Sequence, residues 1–307
     1  MFILIFEQLL KMFFIMLLAF ICYKIKLVDQ NGNRSISNLL LMVVNPLLII
    51  TVYQDTEYNP DMVSGLLLAF AAALAAHILE ILISTFLIRP SSGPDCSIER
   101  FNSMYSNCGF IGIPLVEMTF NDSMAVFYVS SFVALLNILQ WTYGIVVMTG
   151  KKDSIALKKI TTNPIIISFL LGILFFFLPV ELPEVLDSAV AAIASMNAPV
   201  AMIILGIYLA QMKLRDLFTD RAVYLCALMR LIVIPLATAA VLALIPGNEM
   251  LKMSVLIVAA TPVGSNVAIF AQMEGLDHTQ AVKDICLSTV LCIATIPVVV
   301  TAAGVIL

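Results

Sequence analysis

The chain is a succession of long apolar runs cut by short polar or Pro/Gly breaks. The runs cover residues 3–23, 36–53, 62–88, 101–119, 123–149, 162–179, 188–211, 219–245, 250–272 and 280–306. A hydrocarbon core about 30 Å thick is crossed by roughly 20 apolar residues in a helix. The pattern therefore predicts an all-α integral membrane protein of ten transmembrane helices, numbered spans 1 to 10. Spans 8 and 9 are parted only by Ile245-Pro246-Gly247-Asn248, a strong helix breaker.

The basic residues test that count. Lys24, Lys26 and Arg34 follow span 1, and Arg89 and Arg100 lie between spans 3 and 4. Lys151, Lys152, Lys158 and Lys159 follow span 5, and Lys213, Arg215 and Arg221 follow span 7, so twelve of the sixteen Lys and Arg fall in alternate loops. The other loops carry Asp55, Glu57, Asp61, Asp122, Glu181, Glu184, Asp187 and Glu249, with Lys252 alone against them. Positive charge marks the cytoplasmic side, which places both termini outside the cell membrane.

Composition agrees: 62% of residues are hydrophobic, 12% are charged and the mean hydropathy is +1.06, leaving no room for a soluble domain. The net charge of −4 says little about partners, because opposite signs sit on opposite faces. The six cysteines have neither CxxC nor Cys/His ligand spacing, so no metal, cofactor or disulfide framework is expected. The opening segment carries Glu7 and Lys11, lacks a basic leader, and reads as a span rather than a signal peptide.

Weak self-similarity divides the chain into residues 1–149, a short cytoplasmic linker at 150–161, and residues 162–307. Asn45-Pro46 in span 2 and Asn197-Ala198-Pro199 in span 7 place their prolines 153 apart, the separation that also relates His77 to Arg230. Asp122-Ser-Met-Ala125-Val126 resembles Asp277-His-Thr-Gln-Ala281-Val282 at a similar offset. Five spans per half force the halves into opposite orientations, the inverted-repeat plan of many secondary transporters.

Spans 4 and 9 are broken at mid-membrane. Span 4 reads Ser106-Asn107-Cys108-Gly109-Phe110-Ile111-Gly112-Ile113-Pro114, and span 9 reads Ala260-Thr261-Pro262-Val263-Gly264-Ser265-Asn266. Each break frees backbone groups that cannot face lipid, so these segments line a cavity or are buried in protein. Each also creates a half-helix N-terminus, whose free N–H groups attract an anion. Asn107, Ser265 and Asn266 can add side-chain donors. Taken singly, either break could be a plain kink; in matching positions they point to a transport site. The candidate substrate residues are Asn107, Cys108, Gly109, Gly112, Pro114, Pro262, Gly264, Ser265 and Asn266.

At these residues the chain resembles the auxin efflux carrier family, which includes plant auxin carriers and bacterial malonate or malate carriers. The motifs are Asn107-x-Gly-Phe-x-Gly-x-Pro-Leu115, Asn163-Pro164 followed by Leu171-Gly172, Pro262-Val-Gly-Ser-Asn-Val-Ala-Ile-Phe-Ala271, and Ser288-Thr289 through Pro297. The resemblance covers essentially the whole chain. It implies that spans 4 and 9 cross at their breaks and that spans 3–5 and 8–10 form a moving transport unit. Spans 1, 2, 6 and 7 would form a scaffold that dimerises. It also adds Asn137, four residues before Trp141, to the substrate set. The long central loop of the plant carriers shrinks here to about residues 150–161, and Ser106 stands where they have proline. The first removes phosphorylation control through that loop, and the second favours a bacterial-type carrier of a mono- or dicarboxylate over an auxin carrier.

Ionisable groups inside the membrane are costly unless paired and are functional candidates. His77 and Glu80 share a face of span 3, Arg230 lies deep in span 8, and Glu117 follows the span 4 break. They read either as proton-coupling groups with a fixed positive charge or as ion pairs tacking helices together. No dense cage of carboxylates and carbonyls argues for Na⁺, so a proton is the favoured coupling ion. No Walker A, DxxD, HExxH or GxSxG motif is present, which disfavours an ATP-driven pump and a membrane enzyme. A channel or a sensor on a transporter fold are the remaining alternatives.

Overall fold

The computed structural model describes residues 2–56, 58–88, 96–151, 157–178, 182–211, 221–273, 276 and 279–307. The side chains of Leu157, Lys159, Arg221, Ile269, Gln272 and Met273 also lie outside the description. So do Arg89, Lys152, Lys213 and Arg215 of the basic loops, and Asp277 and His278 of the repeat match. Among the described residues every regular element is a helix.

α1 (Phe2–Lys24) is one uninterrupted helix. α2 (Gln30–Leu39) and α3 (Asn45–Gln54) are joined by a π-helical turn at Leu40–Val44 into a single rod, Gln30–Gln54. This rod begins six residues before the apolar run, because the Asp29 carboxylate accepts from Gly32 N and caps a polar first stretch. α4 (Pro60–Leu87) starts from Asn59, whose side chain accepts from Met62 N, with Pro60 at the first helical position, where no N–H is needed.

α5 (Cys96–Met104) and α6 (Ile113–Phe120) flank the first break. α7 (Ser123–Leu139) continues through a π-helical turn into α8 (Ile145–Thr149). The short α9 (Leu157–Thr161) precedes α10 (Pro164–Phe177). α11 (Glu184–Ala194) and α12 (Asn197–Gln211) make one rod, as do α13 (Arg221–Leu228) and α14 (Ile234–Leu244). α15 (Glu249–Ala259) and α16 (Asn266–Met273) flank the second break, and α17 (Thr279–Ala303) closes the chain.

Among the described residues, seven helices are long and apolar enough to cross a membrane. The other three expected spans differ for physical reasons. Spans 4 and 9 are each divided into two short helices, and α10 has 14 residues, about 21 Å of helix.

The helices are apolar outside and selective inside. α4 buries Ala69, Ala72, Ala73, Ala76, His77, Glu80 and Ser84 along one stripe, and exposes Leu67, Phe70, Leu74, Ile78 and Leu82 on the other. Small residues on the inner stripe let neighbours approach closely, as membrane packing requires. α1 lies along α12, and α3 packs on α10 and α11. α4 and α15 pack on each other and each on α7 and α14, with α17 against α13 and α15. At Gly206 of α12 a Cβ would come within 2.1 Å of the Met16 carbonyl oxygen, so only glycine permits that approach. Tyr53 fills the space over Gly172, meets the rings of Phe127, Phe169 and Phe176 tilted or edge-on, and shares a 2.8 Å hydrogen bond with Ser130.

Candidate functional site

The helix ladder stops at Met104 in span 4 and at Ala259 in span 9, where Gly, Pro and Asn accumulate. The two interruptions lie side by side. Asn107 N donates to Pro262 O at 2.8 Å and Gly264 N to Tyr105 O at 3.0 Å, an antiparallel pairing centred on Ser106 and Val263. The backbone groups freed by the breaks thus find partners in each other, away from lipid. Gly264 permits the approach, since a Cβ there would stand 3.1 Å from the Ser106 oxygen. Ser288 Oγ accepts from Val263 N and steadies the second stretch on α17.

A cavity of about 30 Å³ lies against the paired stretches, room for a water or two. Ser106, Asn107, Cys108 and Gly109 line it from the first break, and Gly264, Ser265 and Asn266 from the second. Asn137 and Asn45 complete its polar wall, with Leu41, Val133, Leu136 and Ile165 on the apolar side. Cys108 and Asn266 are also where helix resumes after each break, so two helix N-termini border the cavity. Asn107 O accepts from Ile111 N and Gly112 N and starts the first of them.

Among the described residues, three polar atoms of this wall are buried without a partner, Asn107 Nδ2, Ser265 Oγ and Asn266 Oδ1, while Ser106 Oγ interacts with the Cys108 thiol. Each such atom costs about 1–3 kcal/mol when left unsatisfied. Asn137, in contrast, is engaged: Nδ2 donates to Val133 O at 2.8 Å, and Oδ1 accepts from Asn163 Nδ2 at 3.2 Å. Gly112, Pro114 and Pro262 stay outside the cavity. Gly112 lets Val258 of α15 pack against the first break, Pro114 is buried at the start of α6, and Pro262 supplies the carbonyl that pairs with Asn107.

Against the same breaks, outside the cavity lining, sits a fully buried charged network. Arg230 Nη1 donates to Glu80 Oε1 at 3.0 Å, and Glu80 Oε2 lies 2.8 Å from His77 Nδ1. His77 Nε2 is 3.1 Å from Phe132 O, which only accepts, so Nε2 carries a proton. One further proton lies between Nδ1 and Oε2. Whichever atom holds it, the three side chains together carry +1. Arg230 also reaches carbonyls of both breaks: Ser103 and Met104 at the end of α5, Ala259 at the end of α15 and Thr261 just beyond it. Two helix C-termini contribute roughly −0.5 each and balance the network.

Glu117 belongs to neither group. It lines a second cavity of about 290 Å³ with Asp55, Asn121, Asp122 and Ser195. At the rim of that cavity burial, and secondarily Asp187, push the Asp55 carboxyl above its ordinary range. Among the described residues no group of three or more His, Cys, Asp or Glu could hold a metal ion.

Two features escaped sequence reasoning. Asn197 Nδ2 donates to Asn45 Oδ1, a bond joining two positions noticed only as repeat markers. An Asn one or two residues before a Pro in each half was the available signal. Asn102 Nδ2 likewise bonds Asp284 Oδ2, linking α5 to α17, and nothing in the spacing announced it.

Comparison with known proteins agrees with the motifs. The profile of the family described as "Membrane transport protein" matches residues 4–162 and 151–300. A protein of Rhizobium meliloti (strain 1021) named "Putative malonate transporter" is 23% identical over 219 residues, covering 68% of each chain. The chain is thus a multi-pass membrane protein that belongs to the membrane transport protein family, the auxin efflux carrier family of transporters whose motifs it carries.

Proposed function

We propose that this protein is a secondary carrier of a small organic anion, a mono- or dicarboxylate such as malonate, bound between the two breaks. The observation that carries this reading is the cavity wall. Two helix N-termini border it, and two unpartnered groups able to donate, Asn107 Nδ2 and Ser265 Oγ, belong to its lining. A carboxylate would satisfy them together. The cavity is too small for such a substrate as it stands, so the reading includes a more open state and alternating access by an elevator or rocking movement.

The reading takes the helices as two inverted five-span halves crossed at spans 4 and 9. The scaffold is spans 1, 2, 6 and 7, the transport unit is spans 3–5 and 8–10, and two scaffolds form a homodimer in the cell membrane. The extensive packing of α1 on α12 and of α3 on α10, and that of α4 on α7 and α15 on α7, supports that division, with α7 and α17 meeting the scaffold helices. A dianion entering against a negative-inside potential is opposed by about 2.3 kcal/mol per charge per 100 mV, so accumulation needs co-transported cations. Protons are the favoured ones, with the proton between His77 and Glu80, or one on Glu117, as carrier.

The test is uptake of radiolabelled malonate and related mono- and dicarboxylates by purified protein in proteoliposomes, under imposed pH or Na⁺ gradients. Saturable accumulation driven by the pH gradient is expected. If no carboxylate in the panel moves, the substrate class is wrong. If Glu80→Gln and Glu117→Gln both keep the parent's pH-driven accumulation, neither group carries the proton.

A further inference from the structure

The guanidinium of Arg230 is surrounded by oxygens from three segments. Nη1 donates to Glu80 Oε1 at 3.0 Å, Ser103 O at 3.2 Å and Met104 O at 3.4 Å. Nε donates to Thr261 O at 3.1 Å and Nη2 to Ala259 O. The set is four backbone carbonyls and one carboxylate, with the arginine itself wholly buried. Ser103 and Met104 end α5, while Ala259 ends α15 and Thr261 follows it shortly after, so these are carbonyls at or just past the end of a broken helix. Hard oxygens converging from the negative ends of two helices are the surroundings that an inorganic cation takes. Here the cation is tethered to the chain.

The charge count makes the substitution complete. His77 and Glu80 share one proton and are neutral as a pair, so Arg230 supplies +1 against the two helix ends. A further cation at this place would meet guanidinium hydrogens and leave an unbalanced charge in a buried setting, a large penalty. The same contacts bind both breaks through carbonyls of residues that do not line the cavity. Met104 and Thr261 lie within three residues of Asn107 and Gly264, whose backbones pair beside the cavity.

We propose that Arg230 is a resident cation that fills an oxygen cage at the two breaks and holds them in the arrangement that receives the anion. Anion binding therefore draws no Na⁺ or K⁺ into this cage. Arg230 is a positioning residue: it acts through the backbone of both breaks rather than by touching substrate. The claim about the cage stands on its own, while its consequence for affinity rests on the proposed anion site.

The experiment uses the whole protein purified in detergent. The parent's melting temperature, and its malonate affinity by calorimetry, are expected to be the same in sodium, potassium and choline chloride. Arg230→Ala is expected to melt lower than the parent and to lose about tenfold or more in malonate affinity. Millimolar guanidinium chloride, far below denaturing concentrations, should restore both. Urea, similar in shape but uncharged, should restore neither, and the parent should respond to neither additive. A parent that is stabilised by Na⁺, or needs it to bind malonate, overturns the proposal. So does a folded Arg230→Ala protein that guanidinium leaves unchanged. If Arg230→Ala does not fold, the parent's response to Na⁺ decides. If the parent binds no malonate, the substrate reading fails and the melting measurements still decide the cage.

Discussion

Asn107 combines the two properties that a ligand contact in a membrane protein needs. Its backbone is held by Pro262, Ile111 and Gly112, so the side chain has a fixed root, while its Nδ2 is buried with no partner. An amide in that condition is poorly solvated in the empty state and gains a hydrogen bond when an anion arrives. A hydrogen bond to a charged ligand contributes about 1.5–3 kcal/mol, roughly ten- to a hundredfold in affinity. Asn107→Ala should weaken malonate binding by that factor and leave the melting temperature near the parent's. Equal affinity for malonate in calorimetry would remove Asn107 from the site. Asn137 is expected to behave differently, because Val133 and Asn163 already occupy both ends of its amide. Asn137→Ala should lower stability as well as affinity, since it leaves Asn163 with one partner fewer.

At the scale of the element, proline and glycine shape the helices in distinct ways. Pro46, Pro114 and Pro235 each follow a π-helical turn, at Leu40–Val44, Cys108–Gly112 and Met229–Val233. Proline has no N–H and its ring crowds the carbonyl four residues back, so the widened turn relieves both demands without ending the helix. Glycine sets distance instead. The contact of Gly206 with the Met16 carbonyl fixes the separation of α1 and α12. Gly206→Ala must push the two helices apart, and overpacking of this kind costs about 1–3 kcal/mol. A clearly lower melting temperature in detergent is the expected result. A variant that melts with the parent would show that α1 and α12 do not meet at this separation.

For the whole molecule, sidedness governs how the site is reached. The basic loops predict that the linker at 150–161 faces the cytoplasm and both termini face outward. A single cysteine at Lys152, in a Cys22→Ser background whose other cysteines are buried, should be blocked to membrane-impermeant maleimide in intact cells and labelled after lysis. Labelling from outside would reverse the orientation. On the expected orientation the 290 Å³ cavity holding Asp55, Glu117 and Asp122 opens outward, giving an acidic approach on that face.

The sequence by itself determined what depends on local composition. Apolar runs of membrane length require helices, because lipid offers no partner for backbone groups. The Gly/Pro/Asn clusters at 106–114 and 260–266 had to be interruptions, and the motifs around them identified the family. Asn107, Cys108, Gly109, Gly264, Ser265 and Asn266 could be named together because they are contiguous within two short stretches. Tertiary structure decided everything that required two distant segments to meet. Gly112 and Pro114 share the first stretch but not the cavity, since helix geometry turns successive residues to different sides, and Pro262, in the non-helical second stretch, spends its carbonyl on Asn107 N. His77, Glu80 and Arg230 were each suspect as buried charges, yet their joining into one network, and the separation of Glu117 from it, depended on how α4 packs beside the π-turn of span 8. The cage around Arg230 was invisible for a simpler reason. Four of its five oxygens are backbone carbonyls, which every residue carries, and only the placement of two broken helix ends around one guanidinium sets them apart.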